Sequence, residues 1–199
     1  MSYRLLNAAL LTAGLLLLSA CPPGAEQTVQ VSDPSASASP MEVKLMGLMQ
    51  ITSKAFANGQ AIPERFSCKG ANVSPPLNWV KVPKGTRSLA LIMDDPDAPA
   101  GTWLHWVLYN VPPEISQLPD DLPPNETLSL GALQGLNDFK KMGYGGPCPP
   151  AGQLHRYFFR LFALDAMLPL EPGATRAQLE AAMKGHILGR GELMGGFKQ

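Results

Sequence analysis

The pattern of apolar and polar residues divides the chain into two unlike parts. Residues 5–18 are mostly apolar, whereas residues 22–40 are rich in Pro, Ser, Ala and Gly and hold almost no large apolar side chain. Beyond residue 41, apolar segments of strand length alternate with segments rich in Gly and Pro. Because a Pro/Ser-rich segment cannot bury enough surface to fold, we expect one folded domain at residues 42–199, preceded by a flexible tether at residues 21–41.

The apolar segments of the folded part predict a mainly β protein. Three of them are six to nine residues long and rich in aromatic, Leu, Ile and Val residues, which is typical of central strands. These are residues 88–93, 103–111 and 156–164. Residues 46–51 and 53–56 predict a further strand that ends in a turn at Asn58 and Gly59, and residues 187–197 predict a final strand.

One amphipathic helix is predicted near the C terminus. Thr175 and Gln178 form the T-x-x-Q pattern of a capping box, and Gly185 is a typical residue just past a helix end. Leu179 and Met183 fall on the same face. We therefore expect a short helix that covers one face of the sheet.

The N-terminal part resembles a bacterial lipoprotein signal. A short start with Arg4 precedes the apolar run, which is too short to cross a bilayer comfortably and ends in Leu18-Ser19-Ala20-Cys21. We therefore expect residues 1–20 to be a signal peptide that is removed, and Cys21 to carry the lipid. The alternative is an ordinary secretory signal with a chance cysteine. In the lipoprotein case the domain is exported and anchored to a membrane, facing the periplasm or the cell surface.

Charge and motifs exclude several classes of protein. Sixteen Lys and Arg balance sixteen Asp and Glu, whereas nucleic-acid binding requires a basic face or stripe. The chain also lacks a P-loop, an H-E-x-x-H motif and a G-x-S-x-G elbow. The sequence therefore predicts no nucleic-acid partner, no cofactor and no metal. It does not identify a protein partner.

Two cysteines remain after Cys21, namely Cys68 and Cys148. They form no C-x-x-C motif and no zinc-site spacing, and thiols in exported proteins tend to oxidise. The sequence leaves two possibilities, a disulfide between them or two free cysteines buried as small apolar residues.

Polar residues gather at the ends of the predicted central strands. Each has an ordinary structural explanation, either a hydrogen-bonded core His or an Asp-Pro turn. Together with the Gly/Pro-rich residues 145–150 they suggest a small polar pocket. Imidazole, phenol and Gly backbone N–H groups would face an anion there, and an Asp would fix the tautomer of a His. The residues concerned are Asp95, Asp97, His105, His155 and Tyr157.

Strict alternation along the strands adds an expectation about faces. It places Trp103 and His105 on one face of the second central strand, and Leu104 and Trp106 on the other. In the third central strand it separates Arg156 from its two neighbours, so we expect Arg156 to have a structural role.

Four motifs in this order resemble the phosphatidylethanolamine-binding protein family, in its bacterial, Raf kinase inhibitor-like branch. They are D-P-D-A-P at residues 95–99, H-W at 105–106, G-G-P-C-P-P at 145–150 and H-R-Y at 155–157. The resemblance covers residues 46–197. It implies two antiparallel β-sheets with Greek-key connections, a peripheral helix, and a pocket for phosphate, phosphorylated head groups or similar small anions.

The resemblance also implies a set of ligand-binding residues at the matching positions. These are Asp95, Asp97, His105, Gly146, His155 and Tyr157. Features tied to kinase binding are not recognisable, so kinase regulation is not carried over.

Two alternatives to simple binding stay open. A protease inhibitor would need an exposed loop, for which residues 112–125 are the candidate. A hydrolase would use His105, His155 and Asp95 as acid and base, and Cys148 as a nucleophile only if its thiol is free.

Overall fold

The structure is a computed structural model that describes residues 47–199. The expected signal peptide, the tether with Cys21, and Met46 lie outside the described residues. The elements are β1 (Gly47–Leu48), β2 (Gln50–Thr52), a 3-10 turn (Glu64–Phe66), β3 (Leu77–Val80), β4 (Ser88–Asp95), β5 (Trp103–Val111), β6 (Gln117–Leu118), β7 (Leu133–Gln134), β8 (Leu154–Leu164), α1 (Arg176–Met183) and β9 (Ile187–Lys198).

The strands form two sheets. The large sheet has the order β1-β9-β8-β4-β5-β7, and the small sheet has the order β2-β3-β6. All neighbours are antiparallel except β1 and β9, which pair in parallel over two residues. The expected mainly β fold of two sheets with a peripheral helix is confirmed. Because β8 returns to pair with β4, the start of β8 lies beside the end of β4.

The large sheet is covered on both faces in its centre. Its first face packs on the small sheet, where Trp79, Leu91 and Phe159 belong to one apolar cluster. Its second face packs on α1, where Ile92 and Leu179 belong to another. β4 is buried along all eight residues, and this explains its nearly continuous apolar sequence.

The predicted central and final strands are confirmed, with ends that differ by no more than two residues. The predicted capping box is also present at the start of α1. The backbone N–H of Thr175 donates to Gln178 Oε1 (2.9 Å), and the N–H of Gln178 donates to the Thr175 hydroxyl (3.3 Å). The helix buries Leu179 and Met183, as its periodicity predicts.

The strand predicted at residues 53–56 is wrong. Ser53 donates its hydroxyl hydrogen to the carbonyl of Pro76 (2.6 Å) and accepts the N–H of Ala55 (3.1 Å). This local side-chain bonding competes with a strand ladder and forms a turn instead. The turn predicted at Asn58 and Gly59 is present, with Gly59 at a positive φ of 81°.

The alternation predicted for β5 is wrong for Leu104 and Trp106, which lie on opposite faces of the sheet. Met93 pairs with Trp106 but the next residue, Asp94, pairs with Leu104, so β5 carries one extra residue at this point. This is a β-bulge, which reverses the side-chain order beyond it. Trp106 therefore joins the core between the sheets, whereas Leu104 joins the core beneath α1.

A disulfide joins Cys68 to Cys148, so of the two possibilities for these cysteines the structure has the bonded one. Their Cα atoms are 5.4 Å apart and their separation in sequence is 80. The bond ties the Gly/Pro-rich residues 145–150 to the segment after the 3-10 turn. Within residues 47–199, no helix is both long enough and apolar enough to span a bilayer.

Candidate functional site

The turn after β4 directs its two carboxylates to opposite sides of β8. Asp95 accepts the N–H of Asp97 at Oδ1 (2.8 Å), and its Oδ2 lies 2.8 Å from Nδ1 of His155. Asp97 instead accepts three hydrogen bonds from Arg156, from Nε (2.8 Å), Nη2 (2.7 Å) and the backbone N–H (2.9 Å). Two contacts therefore hold the turn on β8: a buried one between Asp95 and His155, and an exposed one between Asp97 and Arg156. Arg156 has the structural role expected for it.

The Arg156 contact makes the stability due to Asp97 dependent on pH. Hydrogen bonds from Arg156 lower the pKa of Asp97 to about 2, against an opposing effect of partial burial. A carboxylate with a lowered pKa in the folded state stabilises the protein above its ordinary pKa, and this stability disappears as pH falls through the lowered value.

We expect Asp97→Asn to lower the free energy of unfolding by about 0.5 to 1 kcal/mol at pH 7, because solvent screens this exposed pair. The difference from the parent protein should vanish as pH falls from about 4 to about 2. Urea unfolding of both proteins across this range measures it. An equal difference at both ends of the range would contradict the assignment.

Two buried imidazoles face the interior beside this turn. A carbonyl only accepts, so His105 must donate from Nδ1 to the carbonyl of Gly145 (2.6 Å). Its Nε2 makes no hydrogen bond within residues 47–199. His155 bonds to Asp95 through Nδ1, and its Nε2 has a long contact of 3.4 Å with Gln153 Oε1. Burial lowers the pKa of His105. Nε2 of His105 is therefore left for a ligand, whereas Nε2 of His155 has the one long contact with Gln153.

Two buried donors in the same region have no hydrogen-bond partner among the described residues. They are Nε1 of Trp103 and the hydroxyl of Tyr157. The Tyr157 ring stands edge-on to His105, with ring centroids 5.1 Å apart. Burial, and next the charge of Asp95, raise its pKa, so the phenol keeps its proton. Since nearly all buried polar groups in native proteins are paired, such donors indicate a place for a ligand.

A cavity of about 350 Å³ opens at these groups. Its polar lining comes from Asp95, Trp103, His105 and His155, and its apolar walls include Phe139 and the prolines of residues 149–150. Mostly apolar walls with a few polar groups are typical of small-molecule sites. A larger cavity of about 520 Å³ lies on the small sheet, but none of the expected ligand-binding residues line it.

The structure brings some of the expected residues to this cavity and not others. Asp95, His105 and His155 line it. Tyr157 is fully buried behind them, next to His105. Asp97 is turned to Arg156 instead.

Gly146 does not line this cavity. Its N–H donates to Oδ1 of Asn72 (2.8 Å), and the N–H of Gly145 donates to the carbonyl of His105 (2.9 Å). The backbone donors expected to face an anion are thus used within the protein. A Cβ on Gly146 would lie 2.3 Å from the carbonyl oxygen of Phe66, so close packing requires glycine here.

Two aromatic residues that line the cavity are not among the ligand-binding residues that the sequence predicts. Trp103 shares the predicted face of His105, and this shared face is the sequence signal that identifies it. Phe139 packs edge-on against both, with ring centroids 5.5 Å from Trp103 and 5.4 Å from His105. The sequence does not identify Phe139, because this residue lies in a loop, where side chains follow no regular spacing. Within residues 47–199, no cluster of three or more His, Cys, Asp or Glu side chains is placed to hold a metal ion.

The fold and the cavity together define the class of the protein: a two-sheet β protein with a partly polar cavity at the ends of its central strands. The family model described as phosphatidylethanolamine-binding protein matches residues 52–198, and the chain belongs to this family. A UPF0098 protein of Methanothermobacter thermautotrophicus is 49% identical over 151 residues, which are 76% of this chain and 99% of that protein. A UPF0098 protein of Aquifex aeolicus is 47% identical over 154 residues, covering 76% and 90% of the two chains.

Two solved structures agree with this assignment. A structure described as a homolog of phosphatidylethanolamine-binding protein from Chlamydia trachomatis superimposes with a TM-score of 0.70 at 43% identity, covering 76% of this chain and 98% of that one. E. coli YbcL, described as a new member of the mammalian PEBP family, gives a TM-score of 0.71 at 33% identity with the same coverage.

Proposed function

We propose that the protein reversibly binds a small anion, of the phosphate or phosphorylated head-group type, in the cavity lined by Asp95, Trp103, His105 and His155. We call this cavity the anion cavity. The observation that carries the proposal is a pair of buried donors without partners, Trp103 Nε1 at the cavity and the Tyr157 hydroxyl behind His105. Beside them, Nε2 of His105 has no hydrogen bond and Nε2 of His155 has only the long contact with Gln153. An anion in the cavity accepts a hydrogen bond from Trp103 Nε1. It accepts from Nε2 of an imidazole only when that ring is protonated, because Nδ1 already holds the proton of the neutral ring.

Asp95 acts in this scheme as a positioning residue. Its two oxygens already accept from His155 and from the N–H of Asp97. A carboxylate repels an anion, so the binding groups must be the donors that surround it. By bonding Nδ1 of His155, Asp95 turns Nε2 of that ring away from itself.

The proposal includes a place in the cell. We propose that the mature chain begins at Cys21, carries lipid there, and is held at a membrane outside the cytoplasm by the tether of residues 22–40. The Cys68–Cys148 disulfide supports an oxidising compartment. Acyl chains contribute about 0.8 kcal/mol per buried methylene, and several chains anchor a protein stably. The lipid is then an anchor, and the anion cavity serves ligands in solution or at the lipid surface.

Calorimetric titration of the purified protein with phosphate, acetate and phosphorylethanolamine tests the function directly. We expect Trp103→Phe to weaken phosphate binding about tenfold, the usual effect of losing one donor to a charged group. The phenyl ring keeps an aromatic contact with Phe139, so unfolding should change little. An unchanged dissociation constant in a folded variant, or no binding of any anion by the parent protein, would refute the assignment.

Anion binding should strengthen as pH falls. Burial lowers the pKa of His105, against the opposing effects of the Gly145 carbonyl and of Asp95. A bound anion stabilises the protonated ring, so affinity rises as pH falls towards and below about 6.5, the ordinary value for His.

Sulfate isolates this effect because its own charge is constant between about pH 5 and pH 8. We expect its dissociation constant to fall about tenfold across this range. His105→Asn keeps a donor for the Gly145 carbonyl but removes the titrating Nε2, and it should flatten the profile. A flat profile in the parent protein would contradict the role of the imidazoles.

Hydrolysis is the second candidate function. The buried contact of His155 with Asp95 at 2.8 Å has the form of a general base oriented by a carboxylate. Cys148 is in a disulfide and therefore offers no thiolate nucleophile, so water would have to attack. Incubation of the protein with phosphate monoesters and carboxylic esters tests this function, since only hydrolysis predicts product formation that stops in His155→Asn.

Protease inhibition has less support. Part of the candidate stretch at residues 112–125 is tied into the small sheet, where β6 pairs with β3. Beyond β6, the N–H groups of Asp121 and Leu122 both donate to Ser74 (3.0 Å each). Inhibition titrations with serine proteases separate this activity from anion binding.

A further inference from the structure

A second cavity lies directly beside the anion cavity. Its volume is about 190 Å³, and we call it the side cavity. Its lining includes Asn72, Asn137, Lys141, Tyr144 and the backbone of residues 145–146. Gly146 is thus part of the side cavity, although the family resemblance places it among the ligand residues.

The wall between the two cavities is thin. Phe139 lines both of them, and this residue is 37% exposed. The disulfide completes the wall, with Cys148 on the anion cavity and Cys68 on the side cavity. A Cβ on Gly145 would lie 2.6 Å from the Phe139 ring, so the ring rests directly on the backbone there. A ligand that occupied both cavities would therefore cross the exposed edge of Phe139.

Most polar groups of the side cavity are already paired. The Tyr144 hydroxyl donates to the carbonyl of Phe66 (2.7 Å). The Asn137 amide donates to the carbonyl of Gly143 (3.0 Å) and accepts the N–H of Lys141 (3.1 Å). These bonds hold the shape of the cavity.

Two donors remain. Lys141 and Asn72 are solvent-exposed residues at the mouth of the cavity. Nζ of Lys141 and Nδ2 of Asn72 make no hydrogen bond or ion pair within residues 47–199, and Oδ1 of Asn72 accepts from Gly146. An ammonium and an amide N–H₂ offer hydrogens and no acceptor. An anionic oxygen complements either donor, and a carboxylate has two oxygens with which to accept from both.

We propose that the side cavity is a subsite for a carboxylate, so that the ligand of this protein carries a phosphate-type group and a carboxylate joined by a short linker. The inference rests on the proposed function of the anion cavity. It names the ligand class, small phosphorylated or phosphonylated carboxylic acids. The phosphate-type group lies at the imidazoles, the linker crosses the exposed edge of Phe139, and the carboxylate contacts Lys141 and Asn72.

A series of phosphonoalkanoates of increasing chain length tests the proposal, each member compared with the alkyl phosphonate of the same length that lacks the carboxylate. We expect one chain length to bind about fivefold more tightly than its alkyl counterpart, the effect of an exposed ion pair with a hydrogen bond. Lys141→Met should remove this gain and leave alkyl phosphonate binding unchanged. Lys140→Met is the matched control, because Lys140 lines neither cavity.

The outcomes separate the two proposals. A gain at one chain length that Lys141→Met abolishes and Lys140→Met keeps supports the subsite. If alkyl phosphonates bind but the carboxylate adds nothing at any length, the subsite is refuted while the anion cavity stands. An equal loss of the gain in both variants also refutes it, since the effect is then one of net charge. If no phosphonate binds, the anion cavity and the subsite both fail.

Discussion

Replacement of Cys68 and Cys148 by serine together is expected to lower the free energy of unfolding by about 4 kcal/mol. The bond closes a loop with a sequence separation of 80, for which the chain-entropy relation gives about 4.5 kcal/mol. The effect acts mainly on the unfolded chain. In the folded state the N–H of Cys68 still donates to the carbonyl of Pro147 (3.1 Å), so the variant should keep its fold.

Urea unfolding of the oxidised parent protein and the double variant measures this loss. The parent protein with its disulfide reduced is the matched control, because it lacks the bond and keeps both side chains. It should unfold like the double variant. A loss below about 1 kcal/mol in the double variant would mean that the unfolded chain is already compact between these two positions.

His155→Ala should be the most damaging single change at the site. The His155 and Asp95 side chains are each 4% exposed and 2.8 Å apart. Alanine leaves the Asp95 carboxylate buried with only the N–H of Asp97 as a partner. Removing one member of a buried pair costs about 3 kcal/mol or more. We expect this loss of stability together with loss of anion binding.

His155→Asn separates the two effects. The Asn amide donates to Asp95 from the position of Nδ1 but has nothing in the position of Nε2. We expect this variant to keep most of the stability and still bind sulfate and phosphate at least tenfold more weakly. If it binds anions as well as the parent protein does, His155 only supports Asp95 and does not contact the ligand.

The sequence predicts the sheets well because their strands bury aromatic and branched side chains in runs of strand length. The helix is predicted by its cap, which depends only on Thr175 and Gln178, three residues apart. On β8 the alternation also holds, and it places His155 and Tyr157 together on the buried face. Features that depend on residues close together in sequence can therefore be predicted from the sequence.

Features that depend on contacts between residues far apart in sequence cannot be predicted in this way. The bulge at His105 arises from how β5 pairs with β4, and no residue of β5 marks it. Asp97 was expected at the ligand, but a guanidinium 59 residues away takes both of its oxygens. Phe139 reaches the cavity from a loop 34 residues beyond His105. A motif indicates which residues matter, but only the fold distinguishes those facing the cavity from those holding its walls.

The pairing of β8 has a consequence for the order of folding. β8 is hydrogen-bonded to β4 on one side and to β9 on the other over most of its length. Because side chains alternate, a shift of one residue would turn Arg156 inward and His155 and Tyr157 to solvent. The cavity thus exists only when three chain-distant strands have docked in one register. Recovery of anion binding during refolding should follow the formation of the sheet, so a bound anion reports that assembly of the domain is complete.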